Sequence, residues 1–257
     1  MSEAILRAVG VGYRVDDAVL VDSADLDIRR GEVLGIVGPN GAGKSTLVSL
    51  LAGELDPVAG EVLLDGRPVG EFRPLELAQR RAVLPQGTVL QFAFRVLDVV
   101  MMGRYPHREA TPGEDEAAVA AAMGSADVNH LSERLFPTLS GGEQARVAFA
   151  RVLAQATEIV LLDEPSASLD LRHQELVMSV LEGMRDAGAA VAAVLHDLNL
   201  AARHADRVAV MAGGTLVEVG PTREVLRGDL LSEVYQHPVK VIPHPEMDCP
   251  LVLPLPT

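Results

Sequence analysis

The apolar positions of this chain change their spacing several times, and each change predicts a different element. Between Ile5 and Ile28 they come in short groups: Ile5, Val9 and Val11, then Val19-Leu20-Val21, then Leu26 and Ile28. Asp16-Asp17 and Asp22-Ser23 separate them, which predicts short strands with a turn at each polar pair. The turn Arg30-Gly31-Glu32 leads into Val33-Leu34-Gly35-Ile36-Val37, an unbroken apolar run that predicts a buried strand, and Leu47 to Ala52 then reads as helix. Glu61–Leu64 and Arg67–Val69 flank Asp65-Gly66, a dipeptide suited to a tight hairpin turn. A short helix is predicted over 74–80 and a strand over Arg81–Leu84, closed by Pro85.

From 88 to 155 the pattern is helical. Val96–Met102 predicts one helix, Ala117–Met123 a second with Pro112 at its first position, and Glu143–Ala154 a third. Strands and helices then alternate again: strands at Glu158–Leu162, Ala190–Leu195, Arg207–Met211 and Thr215–Val219, helices at 171–187, Leu198–His204, 222–227 and 229–236. Pro243, Pro245, Pro250, Pro254 and Pro256 exclude a helix at the end of the chain. The expected organisation is one domain over 1–240, with a core of 1–87 and 156–240, an inserted helical block of about 88–155, and a proline-rich tail at 241–257.

Composition narrows the function. A chain of 257 residues with 48% hydrophobic content can bury a large α/β core. The net charge of −14, with 3% aromatics and no tryptophan, speaks against a nucleic-acid partner, which needs a basic face or stacking platforms. No apolar run is long enough to span a membrane, and Met1–Arg7 lacks the basic and apolar regions of a secretion signal. Cys249 is the single cysteine, so no internal disulfide forms, which suits the cytosol.

The chemistry centres on Gly38-Pro39-Asn40-Gly41-Ala42-Gly43-Lys44-Ser45-Thr46, a phosphate loop lying between a predicted strand and a predicted helix. Its glycines let successive amides point inward as an anion nest, and the helix start adds its positive dipole end. Lys44 brings a full charge to the β- and γ-phosphates of a bound nucleotide, and Ser45 brings a hydroxyl to Mg²⁺. Ile159 to Glu164 is an apolar strand ending in Asp163-Glu164, where phosphates would lie. Asp163 suits the Mg²⁺ shell and Glu164 the polarisation of an attacking water. Leu139-Ser140-Gly141-Gly142-Glu143 starts a helix, with Ser140 either a plain N-cap or, with the two glycines, part of a second anion-binding helix end. Two such ends far apart in one chain suggest that each site takes one from each of two chains.

These motifs, with Gln86, Ser168-Leu169-Asp170 and His196, stand in the order found in ABC transporter ATP-binding subunits, which the chain resembles over essentially its whole length. The resemblance implies an ABC ATPase fold: a RecA-like phosphate-loop core, an N-terminal antiparallel β subdomain and an inserted helical subdomain. It implies a homodimer with ATP sandwiched between copies, docked beneath two transmembrane permease subunits on the cytoplasmic face of the membrane and served indirectly by a substrate-binding protein. It implies that Gln86 senses Mg²⁺ and water and links to the helical subdomain, that Ser140 and Gly142, beside Gly141, contact the opposite chain's γ-phosphate, and that Asp170 lies at the dimer interface. It implies that His196 contacts the γ-phosphate and that Tyr13 stacks on adenine.

Two positions depart from the family pattern, Glu143 where glutamine is common and Ser166 where threonine is common. Phe94-Arg95-Val96 and Met102-Gly103-Arg104-Tyr105-Pro106, within 92–106, look like the iron-chelate importer branch. Arg81–Gln86, Arg151–Gln155 and Pro250–Pro254 look like its heme-importing members, although siderophore and cobalamin importers share most of these residues. Soluble non-transport ABC ATPases usually carry coiled-coil insertions or fused cassettes, which this chain lacks. An ATPase subunit does not touch the cargo, so no heme binding by the chain itself is expected, and His237 and His244 read as residues of a solvated loop.

Overall fold

The computed structural model describes residues 3–87, 93–107, 111 and 113–256. Two long antiparallel strands open the chain, β1 (Ala4–Val15) and β2 (Ala18–Arg29), joined at Asp16-Asp17. The predicted turn at Asp22-Ser23 is a correction: both residues lie inside β2. Ser23 takes a positive φ of 46°, and the register against β1 slips between the Val11–Ala24 and Tyr13–Val21 pairs. A polar pair that could end a strand is absorbed instead as a bulge that twists it.

Then follow β3 (Glu32–Val37), α1 (Lys44–Leu51), β4 (Ala59–Leu64), β5 (Arg67–Pro68), α2 (Pro74–Arg80) and β6 (Arg81–Leu84). The Asp65-Gly66 hairpin turn has both residues at positive φ, 48° and 78°, as a two-residue turn of this type requires. The helical block holds α3 (Val96–Met101), α4 (Glu114–Ser125) and α5 (Gly141–Ala154). Pro112, expected to open the second helix, lies outside the described residues; α4 itself begins after Gly113. The chain continues through β7 (Ile159–Asp163), α6 (Leu171–Asp186), β8 (Ala190–Val194), α7 (Leu198–His204), β9 (Arg207–Ala212), β10 (Thr215–Pro221), α8 (Thr222–Val225) and α9 (Gly228–Tyr235).

The proline-rich end is part strand, part loop, and His237 and His244 fall in its loop positions. It pairs as an antiparallel hairpin of β11 (Val239–Pro243) and β12 (Pro250–Pro254), so β11 begins before the expected boundary at 240. Proline forbids helix but is tolerated in strands whose amides face away from a partner. Val252 is 4% exposed and joins the main core. His244 lies half-buried in the loop between the two strands, its Nδ1 accepting the amides of Glu246 and Met247, both at 3.1 Å.

Among the described residues ten strands form one sheet in the order β5-β4-β1-β2-β10-β9-β3-β8-β7-β6. The segment β9-β3-β8-β7-β6 is parallel, while β1, β2, β4 and β5 pair antiparallel. The parallel part is covered on both faces, which is why β3, β7 and β8 are buried at every position. Along β3, Val33 and Val37 enter the apolar cluster that holds α5, α6 and α7, while Leu34 and Ile36 enter the one that holds α1 and the β1–β2 pair. Glu158 receives both Arg30 and Arg80, and Arg80 also reaches Asp65, so ion pairs tie the antiparallel part to the parallel core. The helical block is fastened to α2 and the edge strand by Gln155, whose Nε2 donates to Ala78 O at 2.5 Å and Arg81 O at 2.8 Å. No helix among the described residues is long and apolar enough to cross a membrane.

Candidate active site

The carboxyl ends of four neighbouring parallel strands converge. The loop after β3 carries the phosphate-loop glycines, β8 leads to His196, β7 ends in Asp163-Glu164, and β6 leads to Gln86. Ligands of open α/β sheets bind at such an edge.

The phosphate loop is shaped by close backbone approaches that only glycine permits. At Gly38, φ 151°, an added Cβ would lie 2.1 Å from Met211 O; at Gly43, φ 94°, one would lie 2.2 Å from Leu20 O. The loop is thereby wedged between β9 and β2. Lys44 heads α1 and is 6% exposed, its Nζ donating to Gly38 O and Pro39 O, both at 2.8 Å. Burial pushes its ammonium below the ordinary lysine value, and the Glu164 and Asp163 carboxylates draw it partly back. Asn40, Gly41, Ala42, Gly43, Lys44, Ser45 and Thr46 line a cleft of about 460 Å³ that Gln86, Glu164 and His196 complete.

Glu164 is the point where the strands meet. Its φ of 56° turns the chain out of β7. Its Oε1 accepts the Gln86 amide at 2.9 Å and lies 2.5 Å from His196 Nε2. Burial is the largest single influence and raises its pKa; the hydrogen bonds from His196 and Gln86 and the charges of His196 and Lys44 together outweigh it and leave the carboxyl below the ordinary value. Glu164 is therefore ionised at neutral pH.

Asp163 is 6% exposed, and its Oδ1 is buried without a hydrogen-bond partner. Burial raises its pKa, with the neighbouring Ser45 hydroxyl the strongest opposing influence. An orphaned carboxylate oxygen beside a hydroxyl and the Gln86 amide is a set of hard oxygen donors, which fits Mg²⁺. The predicted ligands Ser45, Asp163 and Gln86 are thus brought together.

Other predicted residues are placed apart from this cleft. Tyr13 sits half-buried in β1 opposite Val21, next to but not among the lining residues. Ser140 caps α5 on the exposed surface with Gly141 beside it, and Asp170 caps α6, accepting the His173 amide at 3.0 Å. Gly141 instead lines a second cleft of about 240 Å³ with Gln86, Asp163, Glu164 and Ser168. Gly142 packs against the following loop, where an added Cβ would lie 3.2 Å from Ser168 O. Glu143, the departure from the family pattern, completes a capping box: it accepts the Ser140 amide at 2.7 Å and returns its own amide to Ser140 Oγ at 3.4 Å. The bond from the Ser140 backbone is the main reason its carboxyl lies below the ordinary value. Leu20 also lines the main cleft, which sequence reading missed because it reads as one more apolar strand position.

Residues 21–167 match the family model described as "ABC transporter". The chain belongs to the ABC transporter family. Within it, this ABC protein is 54% identical to the hemin import ATP-binding protein HmuV of Nocardia farcinica, over 92% of this chain and 82% of that relative. It is 51% identical to the HmuV of Streptomyces coelicolor, over 98% of this chain and 90% of the relative. A metal-chelate type ABC transporter solved in an inward-facing conformation superposes with a TM-score of 0.82 at 27% identity, covering 98% of each chain. The dimeric structure of the ABC transporter cassette MJ0796 superposes at 0.77 with 27% identity, covering 85% of this chain and 99% of that one. The ABC ATPase fold expected from the motifs is the fold found.

Proposed function

We propose that this chain is the ATP-hydrolysing subunit of an ABC importer that carries hemin across the cytoplasmic membrane. The observation that carries the ATPase reading is Glu164, ionised and held between His196 and Gln86 at the mouth of the phosphate loop. The loop amides and Lys44 bind the β- and γ-phosphates of ATP. Ser45, Asp163 and Gln86 would hold Mg²⁺, which when bound neutralises phosphate charge. Glu164 takes a proton from water as the water oxygen bonds to the γ-phosphorus and the bond to the β–γ bridging oxygen breaks, releasing phosphate and ADP; His196 orients Glu164 and meets the γ-phosphate, and Tyr13 stacks on adenine.

Two copies close around ATP, each offering Ser140, Gly141 and Gly142 to the other's γ-phosphate, with Asp170 at their interface. The exposure of the Ser140 end, away from its own chain's phosphate loop, supports this arrangement. The helical block of about 88–155 and the core of 1–87 and 156–240 form the 1–240 unit that docks beneath two permease subunits. A substrate-binding protein delivers hemin, and the chain itself binds none. The cargo reading rests on the identity with hemin import proteins. In proteoliposomes with the permease and binding protein, hemin should raise ATPase turnover and ferric siderophore or cobalamin should not. Stimulation by siderophore or cobalamin alone would overturn the cargo while leaving the ATPase in place.

A further inference from the structure

His196 is held from both sides along the chain. Before it, the Leu195 amide donates to Ile36 O at 3.0 Å, fixing the end of β8 to the phosphate-loop strand. After it, Asp197 caps α7, accepting the amides of Asn199 at 2.7 Å and Leu200 at 3.3 Å. Any displacement of the first turn of α7 therefore reaches the imidazole directly. A helix of seven residues has no independent stability, so its position is set wholly by what it touches.

The far end of α7 is tied to α6: Arg203 reaches Glu175 at 2.5 Å and His204 reaches Glu182 at 2.9 Å. The near end is tied by Asn199. Its Nδ2 donates to Val252 O at 3.1 Å and its Oδ1 accepts the Val252 amide at 2.8 Å. The side chain thus imitates one rung of a strand ladder, across 53 positions of sequence. Val252 lies in β12, and its own side chain is buried in the cluster that holds Leu200 and Ala201. A two-stranded hairpin is marginal alone, but β11–β12 is held independently of Asn199: the Val239 amide donates to Ser232 Oγ on α9 at 2.9 Å, and Arg223 on α8 reaches Asp248 in the bend.

We infer that Asn199 is a positioning residue for His196, and that the C-terminal hairpin is the fixed element it grips. This rests on the ATPase reading above. Losing the bidentate contact loosens the turn that carries His196 and lengthens its contact with Glu164, whereas the phosphate loop is left intact. Turnover should fall and ATP affinity should hold.

The test is a double-mutant cycle on the full-length chain, with ATP KM, single-turnover hydrolysis and melting temperature followed together. Asn199→Ala should lower turnover about tenfold, as misplacement by a fraction of an ångström does, with KM within about twofold of wild type. In a His196→Ala background the same substitution should slow hydrolysis no further, although the melting temperature falls by the same amount in both backgrounds. Asn199→Asp keeps the size and the acceptor but loses the donor, and should reproduce this cycle if the alanine variant folds poorly. Wild-type turnover in both variants, or an equal loss with and without His196, overturns the inference. An inactive wild-type chain, or a His196→Ala chain as fast as wild type, overturns the ATPase reading instead.

Discussion

The phosphate loop and the Ser140 end of α5 are both proposed to meet the γ-phosphate, yet their surroundings are opposite. The loop is wedged against Met211 and Leu20, with Lys44 almost fully buried and three strand ends supplying Gln86, Glu164 and His196 around it. Ser140 and Gly141 lie on the surface, and among the described residues the charges engaged there are local, in the capping box and the Arg134–Glu143 pair at 3.0 Å. A site that closes on its own chain is wedged by long-range contacts. A helix end offered to another chain, as proposed, is stabilised by its immediate neighbours and left open. The contrast can be attacked at either half.

The largest effect is expected at the closed half. Glu164→Gln keeps a hydrogen-bonding group between Gln86 and His196 but removes the base. ATP should still bind, and turnover should fall by about 10² to 10⁴, read by phosphate release. Near-normal turnover would remove Glu164 from its role.

The open half is tested by mixing. An added Cβ at Gly141 meets nothing within 4 Å, and an acid at the first turn of a helix is favourable, so Gly141→Asp should fold normally and yet repel a γ-phosphate. Lys44→Ala and Gly141→Asp should each be inactive alone. If sites are shared between two symmetric copies, mixing them should restore about a quarter of the wild-type sites, since half of the dimers are mixed and each has one intact site. Continued silence on mixing, with dimers present, would place both halves of a site in one chain.

The smallest effect is on stability. Burial raises the Asp163 pKa, so keeping it ionised at neutral pH works against folding. That penalty is present above the folded pKa and fades as pH falls through it toward the ordinary value. Asp163→Asn should therefore raise the melting temperature of the nucleotide-free protein near neutral pH, with the gap narrowing in acid, while Mg²⁺-dependent hydrolysis is lost. A melting temperature that drops at neutral pH would show that the charge is satisfied as it stands.

What could be read before the fold was known follows from how far apart the partners lie in sequence. Gly38–Thr46 and Asp163-Glu164 are contiguous, and their flanking runs declare a strand before each, so the closed half was legible almost residue by residue. The capping box was also in plain view as Ser140 and Glu143, although Glu143 reads first as a family departure; the geometry gives it a local reason. The Asp22-Ser23 bulge was not legible, since a polar pair looks the same whether it ends a strand or kinks one paired on both sides. Nor was the β11–β12 hairpin: its prolines declare only what it is not, and its partner on α7 is a side chain some fifty residues away. Pairings decided by distant segments leave no periodic trace in either one.

Gln155 has a mechanical consequence. Because its amide grips Ala78 O on α2 and Arg81 O at the start of β6 at once, α5 cannot slide along the edge strand without stretching both bonds. The helix is 14 residues long, about 21 Å of rod from this anchor to Ser140. Any tilt about the Gln155 end would displace the serine most, and the strand that holds Arg81 is the one that runs on into Gln86.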